Sequence, residues 1–181
     1  MLEEDAPRKK TKVLRKITRQ RLKNIGLYYL KRFESSVANL RQVLQRRVND
    51  YAYQNKDFDR HEALEWIEEL LEEFRRYGYL DDVRYCEIKV KGYIAAGKSP
   101  RYIQGKLREK GIDETIVSDF LVQQDYDPFD AALKLARKKH IGPYSPSEEI
   151  RKERRSKDMA TLSRAGFDYD TVMRVLSFED D

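Results

Sequence analysis

The pattern Gly78-Tyr79-Leu80-Asp81 recurs in shorter form as Gly111-Ile112-Asp113 and Gly166-Phe167-Asp168, and we call each copy an elbow. Each elbow separates two segments whose apolar residues have helical spacing. A glycine just past a helix end can adopt the left-handed conformation that closes the helix. The aspartate can then cap the N-terminus of the next helix. Repeated elbows therefore predict repeated helical units.

The apolar periodicity and the caps predict nine helices and no sheet, because no segment alternates at period two for long. Thr18, Ser36 and Asp59 are expected to cap the first three helices, and Ser99-Pro100 and Asp127-Pro128 are expected to start two later ones. The predicted helices cover residues 18–33, 36–53, 60–77, 82–96, 100–110, 114–124, 128–139, 147–165 and 169–178. The predicted fold class is all-α.

Nine helices divide into three groups of three. The sequence predicts an arm at residues 1–17 and three-helix repeats at 18–80, 81–126 and 127–181. A unit of about 45 residues has only a marginal core, so stacking of units is the physical reason to repeat. On this division Gly111 and Gly166 turn the chain inside a repeat. Gly78 joins two repeats and is expected to help set the angle between them, so Gly78→Val is predicted to harm function as well as stability.

Positive charge is concentrated at the N-terminus. The chain has 181 residues and a net charge of +5, and residues 1–24 hold nine Lys or Arg and three acids, which is +6 for this segment and −1 for the remainder. A basic arm on a nearly neutral body suggests phosphate contact, and a solvated flexible tail is the alternative. The candidates for phosphate contact are Arg8, Lys9, Lys10, Lys12, Arg15 and Lys16.

A second concentration of positive charge falls on the middle helices of the second and third repeats. Two such helices could line one stripe that follows a nucleic-acid backbone or meets an acidic protein groove. Ordinary solvated helix surface is the alternative. The candidate contact residues are Lys98, Arg101, Lys106, Arg108, Lys110, Arg151, Arg154, Arg155 and Arg164.

Catalytic and metal-binding patterns are absent from the sequence. His61 and His140 are far apart, and neither has Cys or carboxylate at metal-ligand spacing. The single Cys86 lies in a helical pattern, where packing is expected rather than nucleophilic chemistry. There is no Gly-rich phosphate loop, nucleophile elbow or paired acid, so neither an enzyme nor a cofactor is expected. Without a signal peptide or a membrane-spanning apolar run, the expected location is the cytoplasm.

The motifs around the first two elbows resemble the RecX family, the bacterial regulatory proteins of the RecA recombinase. The central motif is Gly78-Tyr79-Leu80-Asp81-Asp82-x-x-Tyr85 followed by Gly97-Lys98-Ser99-Pro100-x-x-Ile103-x-x-x-Leu107-x-x-Lys110-Gly111-Ile112. The segments Tyr29-Leu30-x-x-Phe33-x-Ser35-Ser36-x-x-x-Leu40 and Leu162-x-Arg164-x-Gly166-Phe167 are similar to the family's first and last repeats. The resemblance covers roughly residues 18–178.

The resemblance implies an elongated, curved monomer of three-helix repeats that binds along the groove of the RecA–DNA filament. It implies inhibition of RecA ATP hydrolysis and strand exchange, within the control of DNA repair and the SOS response. Some members also bind DNA directly. The basic arm, the loop at 54–61 and the longer second helix depart from the family pattern. A sequence-nonspecific DNA-binding protein that acts without RecA is the alternative function, since helix-turn-helix geometry permits it.

Overall fold

A computed structural model of the protein describes residues 14–179, and within that range it contains nine α-helices, one 3₁₀ turn and no strand. The predicted all-α fold is confirmed. The helices are α1 (Arg19–Leu30), α2 (Val37–Gln54), α3 (Arg60–Arg76), α4 (Asp82–Ala95), α5 (Pro100–Arg108), α6 (Glu114–Gln123), α7 (Pro128–Lys139), α8 (Glu148–Arg164) and α9 (Tyr169–Ser177), with the 3₁₀ turn at Gly142–Tyr144.

The predicted caps define the helix starts. The Thr18 hydroxyl accepts a hydrogen bond from the Arg21 backbone N–H, and the Asp59 carboxylate accepts one from Glu62. The same bond forms at the starts of α4 to α7 and of α9, where the caps are Asp81, Ser99, Asp113, Asp127 and Asp168. Since a cap acts on its own first turn, every start lies within one residue of its predicted position.

Two helix ends were predicted more than one residue too late. Helix α1 ends at Leu30 rather than at residue 33, and Phe33 lies beyond it with 55% of its surface exposed. Its ring packs on Tyr29, with 5.1 Å between ring centroids, so the apolar spacing reflects a local contact after the helix has ended. Helix α5 ends at Arg108 rather than at residue 110, because the elbow takes up the residues that follow.

The elbow glycines have the predicted left-handed backbone, with φ of +73° at Gly78, +72° at Gly111 and +92° at Gly166. In each elbow the residue after the glycine donates its backbone N–H to a carbonyl in the last turn of the helix, which is a Schellman closure. The bonds are Tyr79 to Phe74 (2.9 Å), Ile112 to Leu107 (3.0 Å) and Phe167 to Leu162 (3.4 Å).

The chain forms two compact units, and the described part of the first consists of residues 14–33 and 40–79. Inside it α1 approaches α3 closely, since a Cβ on Gly26 would stand 2.7 Å from the Phe74 ring. The Glu73 carboxylate on α3 accepts hydrogen bonds from Lys23 (2.5 Å) and Arg19 (3.5 Å) on α1. Apolar packing and this ion cluster together hold α1 against α3.

The second unit, described for residues 34–39 and 80–179, contains two hydrophobic cores. The core of α4–α6 is built around Val90, Ile103, Leu107 and Val117, and the core of α7–α9 around Leu162 and Val172. Cys86 is fully buried in the first of these cores, and this burial raises the pKa of its thiol to about 11. It is therefore a packed residue, as predicted. The division of the chain into three repeats stays a prediction.

Within the second unit, the elbow glycines also contact a neighbouring group of helices. A Cβ on Gly166 would stand 2.6 Å from the Ser99 hydroxyl, and a Cβ on Gly111 would stand 2.5 Å from the Ala38 Cβ. Each glycine is thus pressed against the first turn of a helix that comes earlier in the chain. These two glycines were predicted to turn the chain inside a repeat, and the structure adds a close contact with an earlier helix.

Candidate contact surface

Helix α5 presents two exposed arginines on one face. Ile103 and Leu107 are buried and fix which side of the helix faces the core. Arg101 and Arg108 are seven residues apart, so they lie on the same, solvent-facing side. Neither has a hydrogen bond or ion pair to another residue in the range 14–179. Both guanidinium groups are therefore available to an external anion.

The adjoining flank of α5 combines lysines with tyrosines. The Lys98 ammonium lies 5.0 Å from the centre of the Tyr102 ring, and that ring meets Tyr93 edge-on at 5.7 Å. Lys106 donates to the Glu109 carboxylate at 2.9 Å, and this hydrogen bond raises the pKa of Lys106 above its ordinary value. The charges on this flank are partly satisfied inside the protein.

Helix α8 carries predicted contact residues of two kinds. Arg154 and Arg155 are exposed and have no partner among the described residues, whereas Arg151 donates to the Leu176 and Phe178 carbonyls at 2.8 and 3.1 Å. Arg164 donates to the Ala160 carbonyl of its own helix at 3.1 Å. Arg151 therefore stabilises the C-terminus of α9, while Arg154 and Arg155 face solvent.

The start of α5 and the end of α8 lie side by side. The Arg101 Cβ is 3.3 Å from the point where a Cβ on Gly166 would stand, and Arg164 is two residues before that glycine. Arg154 and Arg155 lie about 14 Å further along the α8 axis, at 1.5 Å per residue. The structure thus places the basic residues of both helices on either side of one junction.

The remaining candidates have mixed outcomes. Lys110 donates to the Asn39 side chain at 2.7 Å, so its ammonium has an internal partner. Arg15 and Lys16 are exposed just before α1. Arg8, Lys9, Lys10 and Lys12 lie outside the described residues. We call Arg101, Arg108, Arg154 and Arg155 the arginine set, because these four are exposed and have no partner within residues 14–179.

Sequence reasoning missed two polar contacts in the α7–α9 core. The Asp158 side chain is only 8% exposed and accepts a hydrogen bond from the Gly142 N–H at 3.4 Å. Asp158 precedes the buried Leu162 by one helical turn, and this spacing was the available signal that it lies on the inner face of α8. Arg151 lies two helical turns before Asp158 on the same face, and this spacing was the corresponding signal that it contacts α9.

Neither a metal cluster nor a membrane-spanning helix occurs in residues 14–179. This range contains no group of three or more His, Cys, Asp or Glu side chains placed to hold a metal ion. None of its helices combines the length and apolar character that crossing a bilayer requires.

Comparison with known proteins gives a consistent result. The sequence profile of the RecX second three-helix domain matches residues 81–121. Regulatory protein RecX of Myxococcus xanthus is 37% identical over 164 residues, which cover 90% of this chain and 87% of that protein.

Two crystal structures share the fold. RecX from Lactobacillus salivarius has a TM-score of 0.62 and 22% identity, and the match covers 87% of this chain and 94% of that one. A second regulatory protein RecX has a TM-score of 0.65 and 23% identity, with 87% and 72% covered. The identity and coverage of the Myxococcus relative show that the chain belongs to the RecX family of regulatory proteins.

Proposed function

We propose that this protein is a non-enzymatic inhibitor of the RecA recombinase that binds along the RecA–DNA filament in the cytoplasm. Family membership supports a regulatory role, and the resemblance implies RecA as the partner. The observation that carries the contact surface is the arginine set, which gives α5 and α8 exposed guanidinium groups on either side of one junction.

Exposed arginines on two helices suit a partner that presents the same binding surface repeatedly, as the protomers of a filament do. A guanidinium group recognises carboxylate or phosphate through two parallel N–H donors. Single exposed charge contacts are weak, but several contacts on one rigid body gain from effective concentration. A protein that binds one arrangement of neighbouring RecA protomers more tightly than another shifts the filament towards that arrangement. Inhibition follows if the favoured arrangement is not the one that hydrolyses ATP.

The test is RecA ATP hydrolysis on single-stranded DNA, measured with and without the full chain. We expect the wild type to suppress hydrolysis. The triple variant Arg101→Glu, Arg108→Glu and Arg155→Glu should lose most of this suppression with an unchanged helical circular dichroism signal. The charge-matched control reverses three exposed cations that are not part of α5 or α8, namely Lys31, Arg46 and Lys138. Equal suppression by both triple variants would show that the arginine set is not the contact surface.

The wild type and the two triple variants also distinguish RecA inhibition from the alternative function, which is DNA binding without RecA. A DNA-binding protein that acts without RecA would bind naked DNA with an affinity that falls steeply with salt. It would leave hydrolysis unchanged whenever DNA is in excess. That pair of results would replace the RecA proposal with the DNA-binding one.

A further inference from the structure

The first unit contains a cleft of about 680 Å³. It is lined by residues just before α1, by α1 itself and by the second half of α2. Three arginines, Arg15, Arg21 and Arg47, share it with Tyr28 and Tyr51. The volume falls in the range of small-molecule sites in proteins, which is roughly 300–1,000 Å³.

Charge in this cleft is strongly unbalanced. Among the lining residues that the structure describes, the only carboxylate is Asp50, and none of the three arginines forms an ion pair within residues 14–179. The neighbouring cleft, of about 740 Å³, has Lys16 and Lys56 opposed by three acids, namely Asp57, Asp59 and Glu62. An anion would therefore be attracted to the first cleft and not to the second.

Arg21 is a partly buried arginine of the cleft. Its Nε is buried and has no hydrogen-bond partner in the described structure. Arg21 is one of the residues that line the cleft, so a phosphate bound there would give this guanidinium group the partner that it lacks. The planar N–H donors of a guanidinium group match the oxygens of a phosphate.

The N-terminus of α1 adds to the positive potential of the cleft. Thr18 and Gln20 line the cleft, and Thr18 caps one backbone N–H of the first turn, that of Arg21. The first turn of this 12-residue helix contains no acidic side chain. The positive end of the helix dipole therefore acts in the same direction as the arginines.

The aromatic rings give the site a second type of contact. Tyr28 is 63% exposed, and its hydroxyl accepts a hydrogen bond from Arg32 at 2.7 Å, which restrains the ring. Tyr51 meets Phe58 edge-on at 4.9 Å, and this contact restrains it as well. The Arg32 guanidinium lies over the Tyr28 ring, 5.2 Å from its centre, so that ring already contacts one cation. The rest of the exposed Tyr28 ring and the partly exposed Tyr51 ring are suitable for stacking a nucleobase.

We propose that this cleft binds a nucleotide, with the phosphate held by Arg21 and Arg47 and the base stacked on a tyrosine. The source of the nucleotide is either the free mononucleotide pool or one residue of a nucleic-acid strand. The site shares no residue with the arginine set on α5 and α8, so the proposal does not depend on the proposed RecA function.

The test measures binding of the full-length protein to a fluorescein-labelled short oligothymidylate by anisotropy, and displacement of that probe by thymidine monophosphate and by inorganic phosphate. Arg47→Gln changes an exposed side chain and Arg21→Gln a partly buried one. Each variant should weaken binding about tenfold, as expected for one lost charge-assisted hydrogen bond. Arg46→Gln is the matched control, since Arg46 is exposed on α2 next to Arg47 but does not line the cleft.

The outcomes separate the two sources. Displacement by the mononucleotide that depends on Arg47 identifies a pocket for free nucleotides, whereas Arg47-dependent binding of the strand alone identifies a contact to nucleic acid. If Arg47→Gln binds like Arg46→Gln, or if no probe binds, the proposal is wrong. Circular dichroism of Arg21→Gln checks its fold, and if that variant unfolds, the comparison of Arg47→Gln with Arg46→Gln decides the proposal.

Discussion

The Ser99 hydroxyl donates a hydrogen bond to the Ala165 carbonyl oxygen at 2.6 Å and accepts one from the Tyr102 backbone N–H at 3.2 Å. One side chain therefore caps the start of α5 and ties it to the end of α8. Ser36 forms the same pair of bonds earlier in the chain, to the Lys110 carbonyl at 2.6 Å and from the Asn39 N–H at 3.1 Å. In both cases the accepting carbonyl belongs to the residue just before an elbow glycine.

Ser99→Ala is expected to destabilise the protein by about 1–2 kcal/mol. The variant loses the cap of α5 and leaves the Ala165 carbonyl without this donor in a site where Ser99 itself is only 1% exposed. The free energy of unfolding from urea titration measures the effect. Ser156→Ala, an exposed serine on α8, is the control and should change stability little. A loss as small as that of the control would show that the hydroxyl is not needed at this junction.

Replacing each of the three elbow glycines by alanine should distinguish the energetic cost of backbone strain from that of steric overlap. All three have positive φ, so each substitution forces a left-handed alanine, which costs about 1–2 kcal/mol. A Cβ on Gly78 meets nothing within 4 Å, whereas a Cβ on Gly111 or Gly166 overlaps a neighbouring side chain. We therefore expect Gly78→Ala to lose only the strain energy and the other two variants to lose about 2–4 kcal/mol.

Thermal unfolding of the three glycine variants compares them directly. Gly78→Ala serves as the internal control, because it has the strain and lacks the overlap. Should Gly78→Ala be the least stable of the three, the close contacts at Gly111 and Gly166 would not limit stability.

A comparison of the local helix caps with the contacts between distant helices shows how far the sequence predicts the fold. The caps and the helix starts depend on neighbouring residues, so patterns such as Asp59 with Glu62 were sufficient to locate them. The close approach of Gly111 to Ala38 joins residues 73 positions apart, and no local pattern encodes it. The same limit applies to the basic residues. The distribution of charge along the sequence showed that α5 and α8 are basic, but it could not distinguish Arg151, which contacts α9, from Arg155, which faces solvent.

Arg151→Gln and Arg155→Gln should therefore differ in stability. Arg151 supplies two hydrogen bonds to carbonyls at the end of α9, and its loss should destabilise the protein by about 1–2 kcal/mol. Arg155 is exposed without a partner in the described structure, so Arg155→Gln should be within about 0.5 kcal/mol of wild type. Urea unfolding of the two variants measures the difference. If the two variants are equally stable, Arg151 is as available to a partner as Arg155 is.

Acid should weaken the contact between α1 and α3. The hydrogen bond from Lys23 holds the pKa of Glu73 below its ordinary value of 4.5, and the charges of Lys23 and Arg19 act in the same direction. A carboxylate with a depressed pKa in the folded state stabilises the protein fully above its unfolded pKa, and the stabilisation is lost as the pH falls through the folded value. The free energy of unfolding should therefore fall as the pH is lowered below about 4.5.

Glu73→Gln removes the titrating group and should make that acid-side fall shallower, while lowering stability at neutral pH. Glu72→Gln is the matched control. Glu72 is exposed, and its ion pair with Arg75 lies within a single helix, at 3.6 Å. Unfolding free energies measured from pH 3 to pH 7 should show a smaller change of slope for Glu72→Gln than for Glu73→Gln. Parallel profiles for wild type and Glu73→Gln would mean that the Glu73 cluster does not couple protonation to folding, and that apolar packing of Gly26 against Phe74 alone holds α1 in place.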